Sequence, residues 1–266
     1  MNTLERFGKG ATPTDLSMDT RRQQYLDALG IIRWVPRGDA AEPAGFANSP
    51  VISGATAITP PMPVALRQSP NTESDAREWT ELETAVRSCT KCSLHATRTQ
   101  TVFGVGHRRA QWMFIGEAPG ADEDRQGEPF VGRAGQLLNA ILFAIGLKRE
   151  DVYIANVLKC RPPGNRDPQP EEVIQCEPYL LRQIELIKPR LIVALGRHAA
   201  HSLLKTEVPL GKLRGKRLSY HGTPLIVTYH PAYLLRNPAD KRKVWDDLCL
   251  AKTVMAAMPD PARVKS

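Results

Sequence analysis

Trp112-Met113-Phe114-Ile115-Gly116-Glu117-Ala118-Pro119-Gly120 is the stretch on which the fold turns. Four apolar residues run straight into Gly-Glu-Ala-Pro-Gly, which cannot extend a strand: glycine and proline bend the chain, and Pro119 lacks a ladder donor. Glu128-Pro129-Phe130-Val131-Gly132-Arg133-Ala134-Gly135 then makes a second glycine-flanked turn. Beyond it Leu137, Leu138, Ile141, Leu142 and Ile145 recur at helical spacing until Gly146. The segment reads as strand, long loop, helix. In open α/β sheets such a loop lies at the carboxyl end of its strand, where ligands bind.

The same alternation continues downstream. Apolar runs predict strands at 112–115, 152–155, 191–195 and 225–228, with helices near 134–145, 170–188 and 197–204. A last helix starts around Pro238 and carries Val244, Trp245, Leu248 and Cys249; Cys249 reads as a core residue. Residues 216–220 are expected to turn back antiparallel onto the fourth strand. The fold expected is a three-layer α/β/α sandwich around a short, mostly parallel four-stranded central sheet.

Upstream, order is expected to resume near Trp79, in a helix that leads into Cys89. Seven prolines fall between Pro36 and Pro70 among Ala, Ser and Thr, the composition of a flexible linker. Before it, Thr20-Arg21-Arg22-Gln23 offers a capping-box start, and Tyr25, Leu26 and Leu29 share a helical face followed by Ile31, Ile32 and Trp34. That cluster is too short to fold alone, so it either packs on the main domain or docks on another protein. The domain scheme is a tail at 1–35, a linker at 36–76, an α/β domain at 77–258 and a tail at 259–266.

The chain of 266 residues carries a net charge of +8 and a pI near 9.4, which favours a polyanionic partner. The first residues hold no apolar segment, and no run approaches the length of a membrane span. Five cysteines in such a chain point to metal or cluster ligation in a reducing compartment rather than to disulfides. The expectation is a soluble protein of the cytosol that binds no membrane. Cys89-Thr90-Lys91-Cys92 is a close pair, and Cys160 and Cys176 stand far apart. Four thiolates hold zinc or a cubane cluster, and spacing alone leaves both open. Asn156 ends the second apolar run and His230-Pro231 ends the fourth, at the sheet edge that also carries Glu117.

Gly116–Gly120, Glu128–Leu138, Asn156-Val157-Leu158-Lys159-Cys160-Arg161-Pro162-Pro163 and His230-Pro231-Ala232-Tyr233-Leu234-Leu235-Arg236-Asn237-Pro238 together resemble the iron–sulfur uracil-DNA glycosylases of family 4. The resemblance covers roughly residues 82–255. It implies a monofunctional enzyme of base excision repair that flips deoxyuridine from single- or double-stranded DNA, cuts its N-glycosidic bond and leaves an abasic site. It also implies one 4Fe-4S cluster on Cys89, Cys92, Cys160 and Cys176, with a structural role. Asn156 is the reader of the uracil edge, since an amide donates one hydrogen bond and accepts another. Phe130 stacks on the base, and Gly116 and Ala118 complete its pocket. Glu123 resembles the position that crowds C5 and excludes thymine. His230 stabilises charge on uracil O2, and Glu117 is the acid/base candidate. In family 1 enzymes an Asp occupies the place of Ala118. Either Glu117 substitutes for it, or the reaction relies on electrostatic stabilisation of departing uracil.

Arg161, Arg166, Lys212, Arg214, Lys216 and Arg236 are the expected phosphate contacts. Leu234 is the expected wedge for the gap left by the base, with Tyr233 and Leu235 as alternatives. No lysine stands as a Schiff-base nucleophile in the matching motifs. Some relatives trap the sugar through a histidine in a loop after the second strand; here Cys160–Arg166 has none, so free turnover is implied. The rival reading is a non-catalytic DNA-binding or polymerase-complex subunit on the same fold. The segment Tyr25–Trp34 resembles the N-terminal peptide of the psi subunit of bacterial DNA polymerase III, which implies the clamp loader as a partner. A monomer is expected.

Overall fold

The computed structural model describes residues 72–259. The expected N-terminal tail, its Tyr25–Trp34 docking segment and nearly all of the linker lie outside them.

Four buried strands form the centre of the sheet: β2 (Trp112–Gly116), β3 (Tyr153–Asn156), β4 (Leu191–Leu195) and β6 (Thr223–Thr228). All of their neighbour pairings are parallel. Two short antiparallel strands close the edges. β5 (Leu218–Tyr220) pairs with β6, as the sequence predicts, and β1 (Val105–Gly106), which it does not, pairs with β3. The order across the sheet is β1-β3-β2-β4-β6-β5. The parallel strands therefore run outward in both directions from β2, and the strand order reverses between β2 and β4. A crevice opens at such a point, beyond the carboxyl ends.

Alternation along the strands feeds two cores. Met113 and Ile115 face one side with Tyr153, Ile192, Ala194 and Val227; Trp112 and Phe114 face the other with Ile154, Val193 and Ile226. The first face is covered by α1 (Thr72–Arg87), α4 (Pro170–Ile187) and α5 (Arg197–Leu204) through Leu82, Val86, Leu180, Ile184, Ala199 and Leu203. The second is covered by α3 (Arg133–Ala144), α7 (Pro231–Arg236) and α8 (Lys241–Ala257) through Leu138, Ile141, Leu234, Val244 and Leu248. Each fully buried side chain of this size contributes roughly 1.5–3 kcal/mol, and both layers are continuous. Helix α1 begins upstream of the expected boundary at 77. Its Trp79 packs edge-on against Phe103 and Tyr153, with ring centroids 5.5 and 5.6 Å away.

Two shorter helices complete the order: α2 (Ala121–Gln126), directly after Gly120, and α6 (Leu210–Leu213). One reading of the sequence fails here. Cys249 is exposed on α8, because the buried stripe of that helix runs through Val244, Asp247, Leu248, Ala251 and Val254.

Candidate active site and cysteine cage

The register of β2 against β3 sets Gly116 opposite Asn156. Two more bonds carry the pairing past the strand ends, Val157 N–H to Gly116 O and Leu158 N–H to Glu117 O, each 3.0 Å. Glu117 and Asn156 are thereby fixed side by side. Across the crevice the amide of Gly196, beyond β4, donates to Thr228 O at 2.8 Å, which brings the start of α5 beside His230. The loops enclose a cavity of about 730 Å³ whose walls include Glu117, Phe130, Asn156, His198, His230 and Tyr233.

Close approach explains the glycine at 116. A Cβ there would stand 2.4 Å from Asn156 Oδ1 and 2.7 Å from Phe130 Cζ. Without it, ring and carboxamide share one wall. Phe130 itself has φ 55, an uncommon left-handed conformation for a bulky residue. Its carbonyl occupies space that a side chain at Gly135 would need, 1.8 Å from that absent Cβ. Asn156 is 2% exposed, and its Oδ1 accepts no hydrogen bond among the described residues. A buried acceptor left unmet costs roughly 1–3 kcal/mol, so this one is built for something that enters the cavity.

His230 caps α7: its Nδ1 accepts the Ala232 N–H at 3.1 Å. Burial above all, reinforced by Arg236, pushes its pKa down to about 4 against the pull of Glu123. The ring is therefore neutral near pH 7, with its proton on Nε2, the nitrogen that Ala232 does not engage. The rings of His230 and Phe130 lie with centroids 5.5 Å apart. Glu117 is perturbed the other way. Burial first, then the charge of Asp167, raise it to about 7, while Arg197 opposes the shift. Asp167 in turn meets His198 Nε2 at 3.3 Å and an Arg197 nitrogen at 3.4 Å. Asp167, Arg197 and His198 are the site residues missed in the sequence. Arg197 and His198 open the helix after β4, the same sheet edge that singled out Glu117 after β2.

Glu123 lines the cavity with its carboxylate bonded to three backbone amides: Gly120 at 3.2 Å, Val131 at 2.9 Å and Gly132 at 3.1 Å. It clasps the two glycine turns together. Ala118 is on the cavity wall.

One expected DNA contact is corrected, and two others are paired within the protein. Leu234 is fully buried among the residues of the second core, because α7 turns it inward; Leu235, at 45% exposure, faces solvent instead. Arg214 is locked by Asp247, with Nε to Oδ2 at 2.7 Å, and lies over the Tyr229 ring at 4.6 Å. Arg166 grips the buried Glu172 with both guanidinium nitrogens, at 2.9 and 2.5 Å. Lys212, Lys216 and Arg236 are exposed, and Arg161 is bonded to Asn165 Oδ1 at 2.8 Å.

Cys89, Cys92, Cys160 and Cys176 converge on one small cavity between the end of α1, the loop after β3 and α4. Two sulfurs already receive N–H donors: Cys160 from Arg98 at 3.1 Å and Cys176 from the Lys159 amide at 3.2 Å. Burial pushes the Cys176 thiol up to about 12 and raises Cys160 as well. Such thiols ionise only when a bound cation supplies the compensating charge. Four convergent sulfurs with N–H donors suit a tetrathiolate-bound metal or cluster. Among the described residues, no helix is long and apolar enough to cross a membrane.

Fold and site together define an α/β protein whose crevice gathers a strand-end asparagine, a phenylalanine and a neutral histidine on the wall of one cavity. The family model of the uracil DNA glycosylase superfamily matches residues 103–249. The type-4 uracil-DNA glycosylase of Archaeoglobus fulgidus is 52% identical over 161 residues, covering 58% of this chain and 81% of the relative. Those of Saccharolobus solfataricus and Thermotoga maritima are 46% and 48% identical, over 65% and 63% of this chain and 85% and 90% of the relatives. The chain belongs to the type-4 uracil-DNA glycosylase family.

Proposed function

We propose that this chain is a monofunctional uracil-DNA glycosylase, which hydrolyses the N-glycosidic bond of deoxyuridine in DNA and leaves an abasic site. The observation that carries the reading is the buried, unmet Oδ1 of Asn156 beside the Phe130 ring. A flipped uracil satisfies it: N3–H donates to Oδ1 while O4 accepts from Nδ2. Cytosine presents the reverse pattern and leaves both groups unmet. Phe130 supplies a stacking face.

As the bond from C1′ to uracil N1 breaks, its electron pair passes into the ring and charge gathers on O2. The Nε2–H of His230 donates to that oxygen, and a neutral donor stabilises the anion without transferring a proton. Water adds to C1′ from the other side, and ionised Glu117 accepts its proton. Burial, reinforced by the charge of Asp167, keeps part of Glu117 protonated near neutral pH. Lys212, Lys216, Arg161 and Arg236 attract the phosphates of uracil-containing DNA, single- or double-stranded.

Cys89, Cys92, Cys160 and Cys176 hold one 4Fe-4S cluster in this reading, which crosslinks α1, the loop after β3 and α4. The enzyme works as a monomer in the bacterial cytosol and docks on the clamp loader through Tyr25–Trp34.

The test is incubation with oligonucleotides carrying one uracil, cytosine or thymine, followed by alkaline cleavage. Cleavage at uracil alone, lowered at least tenfold by Asn156→Asp, supports the reading. No cleavage at uracil, or full activity of Asn156→Asp, overturns it.

A further inference from the structure

Lys159 is 1% exposed, and nothing in the proposed chemistry uses it. An ammonium that deep costs several kcal/mol unless it is fully bonded, and a methionine or leucine would fill the same volume without that cost. The Nζ atom makes two short bonds, to the Asn156 carbonyl at 2.9 Å and to Gln183 Oε1 at 2.6 Å. Gln183 is held in turn, its Nε2 donating to Phe103 O at 2.9 Å and to the Tyr153 hydroxyl at 3.3 Å. The lysine backbone faces the other way. Its N–H reaches Cys176 Sγ at 3.2 Å, its carbonyl accepts the Val102 N–H at 2.8 Å, and Cys160 is the next residue.

Asn156 is the last residue of β3, and the carbonyl that Nζ grips is one bond from the Cα that carries its carboxamide. With Val157 N–H bonded to Gly116 O, Nζ holds the other side of that peptide; a shift of the carbonyl displaces the adjoining Cα and with it Oδ1 relative to the Phe130 ring. We propose that Lys159 is a positioning residue for base recognition, joining the Cys160–Cys176 side of the cysteine cage to the carboxamide of Asn156. The inference rests on Asn156 being the uracil reader and adds a direction of dependence. Order in the cage sets order in the pocket, so disturbing Cys176 weakens base reading before it unfolds the sheet.

The experiment uses the full-length, iron-loaded protein and two variants, Lys159→Met and Gln183→Leu. The second loosens the ammonium without touching the cage. Iron and sulfide content are measured beside equilibrium binding of free uracil by calorimetry and single-turnover excision as a function of enzyme concentration. The expected result is wild-type iron content in Gln183→Leu and at least half of it in Lys159→Met. Uracil affinity should fall about tenfold in both, the equivalent of about 1.4 kcal/mol. Half-saturation should rise more than the maximal rate falls, as lost positioning of a ground-state contact requires. Unchanged uracil affinity at full iron content overturns the proposal, as does activity lost only in proportion to iron. If Lys159→Met does not fold, Gln183→Leu decides on the same criteria. Wild-type protein that neither binds uracil nor cuts uracil DNA would instead sink the reading of Asn156 itself.

Discussion

Glu117 and His230 are pushed in opposite directions by the same burial, and in the proposed mechanism that divergence divides their work. His230 falls to about 4 and stays neutral across the working range, so it adds no limb to a pH profile above roughly pH 5. Glu117, raised to about 7, changes charge in the middle of it. Single-turnover excision should therefore rise about tenfold per pH unit below 7 and level off above roughly pH 8. Asp167→Asn removes a like charge and should move that limb to lower pH. A flat profile would leave the reaction to stabilisation of departing uracil alone. The sign for stability is the reverse. Between the ordinary glutamate value of 4.5 and about 7 the folded state holds a proton that the unfolded state has lost, so stability falls as pH rises through that window. Glu117→Gln should be inactive yet more stable at pH 8, on the order of 1–3 kcal/mol by denaturant melting. For His230→Ala the expectation is a hundredfold slower single turnover, within the range for one oxyanion donor, with binding to uracil DNA weakened less than tenfold. Equal losses in both would make it a ground-state contact.

At the scale of elements, the central strands were legible because each is a fully buried apolar run cut off by glycine, proline or asparagine. The edge pair at Val105 and Gly106 was not, since two half-buried residues leave no periodicity to read. The acidic stretch after Gly120 has no apolar periodicity to read, yet it forms α2, whose Asp124 is buried and accepts the Thr99 amide at 3.0 Å. Glu117, Asn156 and His230 could be placed on the cavity wall because strand ends announce themselves, whereas Phe130 was singled out by the resemblance. The partners of Arg166 and Arg214 could not. Asp247 stands 33 positions from Arg214 and meets it only through the packing of α8 on β6. Helix α7 gives the sharpest case, since one step of helical rotation separates core Leu234 from exposed Leu235. Leu234→Ala should cost about 2–5 kcal/mol of stability. Leu235→Ala should leave stability within about 0.5 kcal/mol, while slowing excision from duplex more than from single-stranded DNA if Leu235 fills the gap in the stack. Equal slowing on both substrates would argue against a wedge.

The cage works across several elements, so its removal should be felt over the whole described domain. Cys89, Cys92, Cys160 and Cys176 draw α1, the loop after β3 and α4 together, and α1 has few other long-range anchors besides Trp79, Leu82 and Val86. On the cluster reading, replacing any one of the four by serine should bleach an iron absorbance and cost on the order of several kcal/mol, because ligand binding and folding are coupled. Cys249→Ser should change neither, because that thiol faces solvent on α8. Anaerobically purified protein holding stoichiometric zinc and no iron would end the cluster reading while keeping the cage.

Where the chain is divided matters as much as what holds it together. The proline-rich composition suggested a boundary at 76, yet α1 starts at Thr72 and carries Trp79 into the first core. Deleting 1–76 would cut into that helix, whereas deleting 1–71 spares it. Every residue placed in the site lies between Gly116 and Arg236, and every cage ligand lies beyond α1. The 1–71 deletion should therefore keep its iron and excise uracil from a short oligonucleotide within about twofold of the full chain. The apolar set Tyr25, Leu26, Leu29, Ile31, Ile32 and Trp34 would then serve recruitment, where a tether raises local concentration without altering chemistry. On that reading the deletion abolishes retention on immobilised clamp-loader complex. Trp34→Ala should reproduce the loss, because a tryptophan buried in a contact commonly carries much of its energy. Loss of iron or activity on removing 1–71 would place that cluster in the catalytic body and end the docking idea.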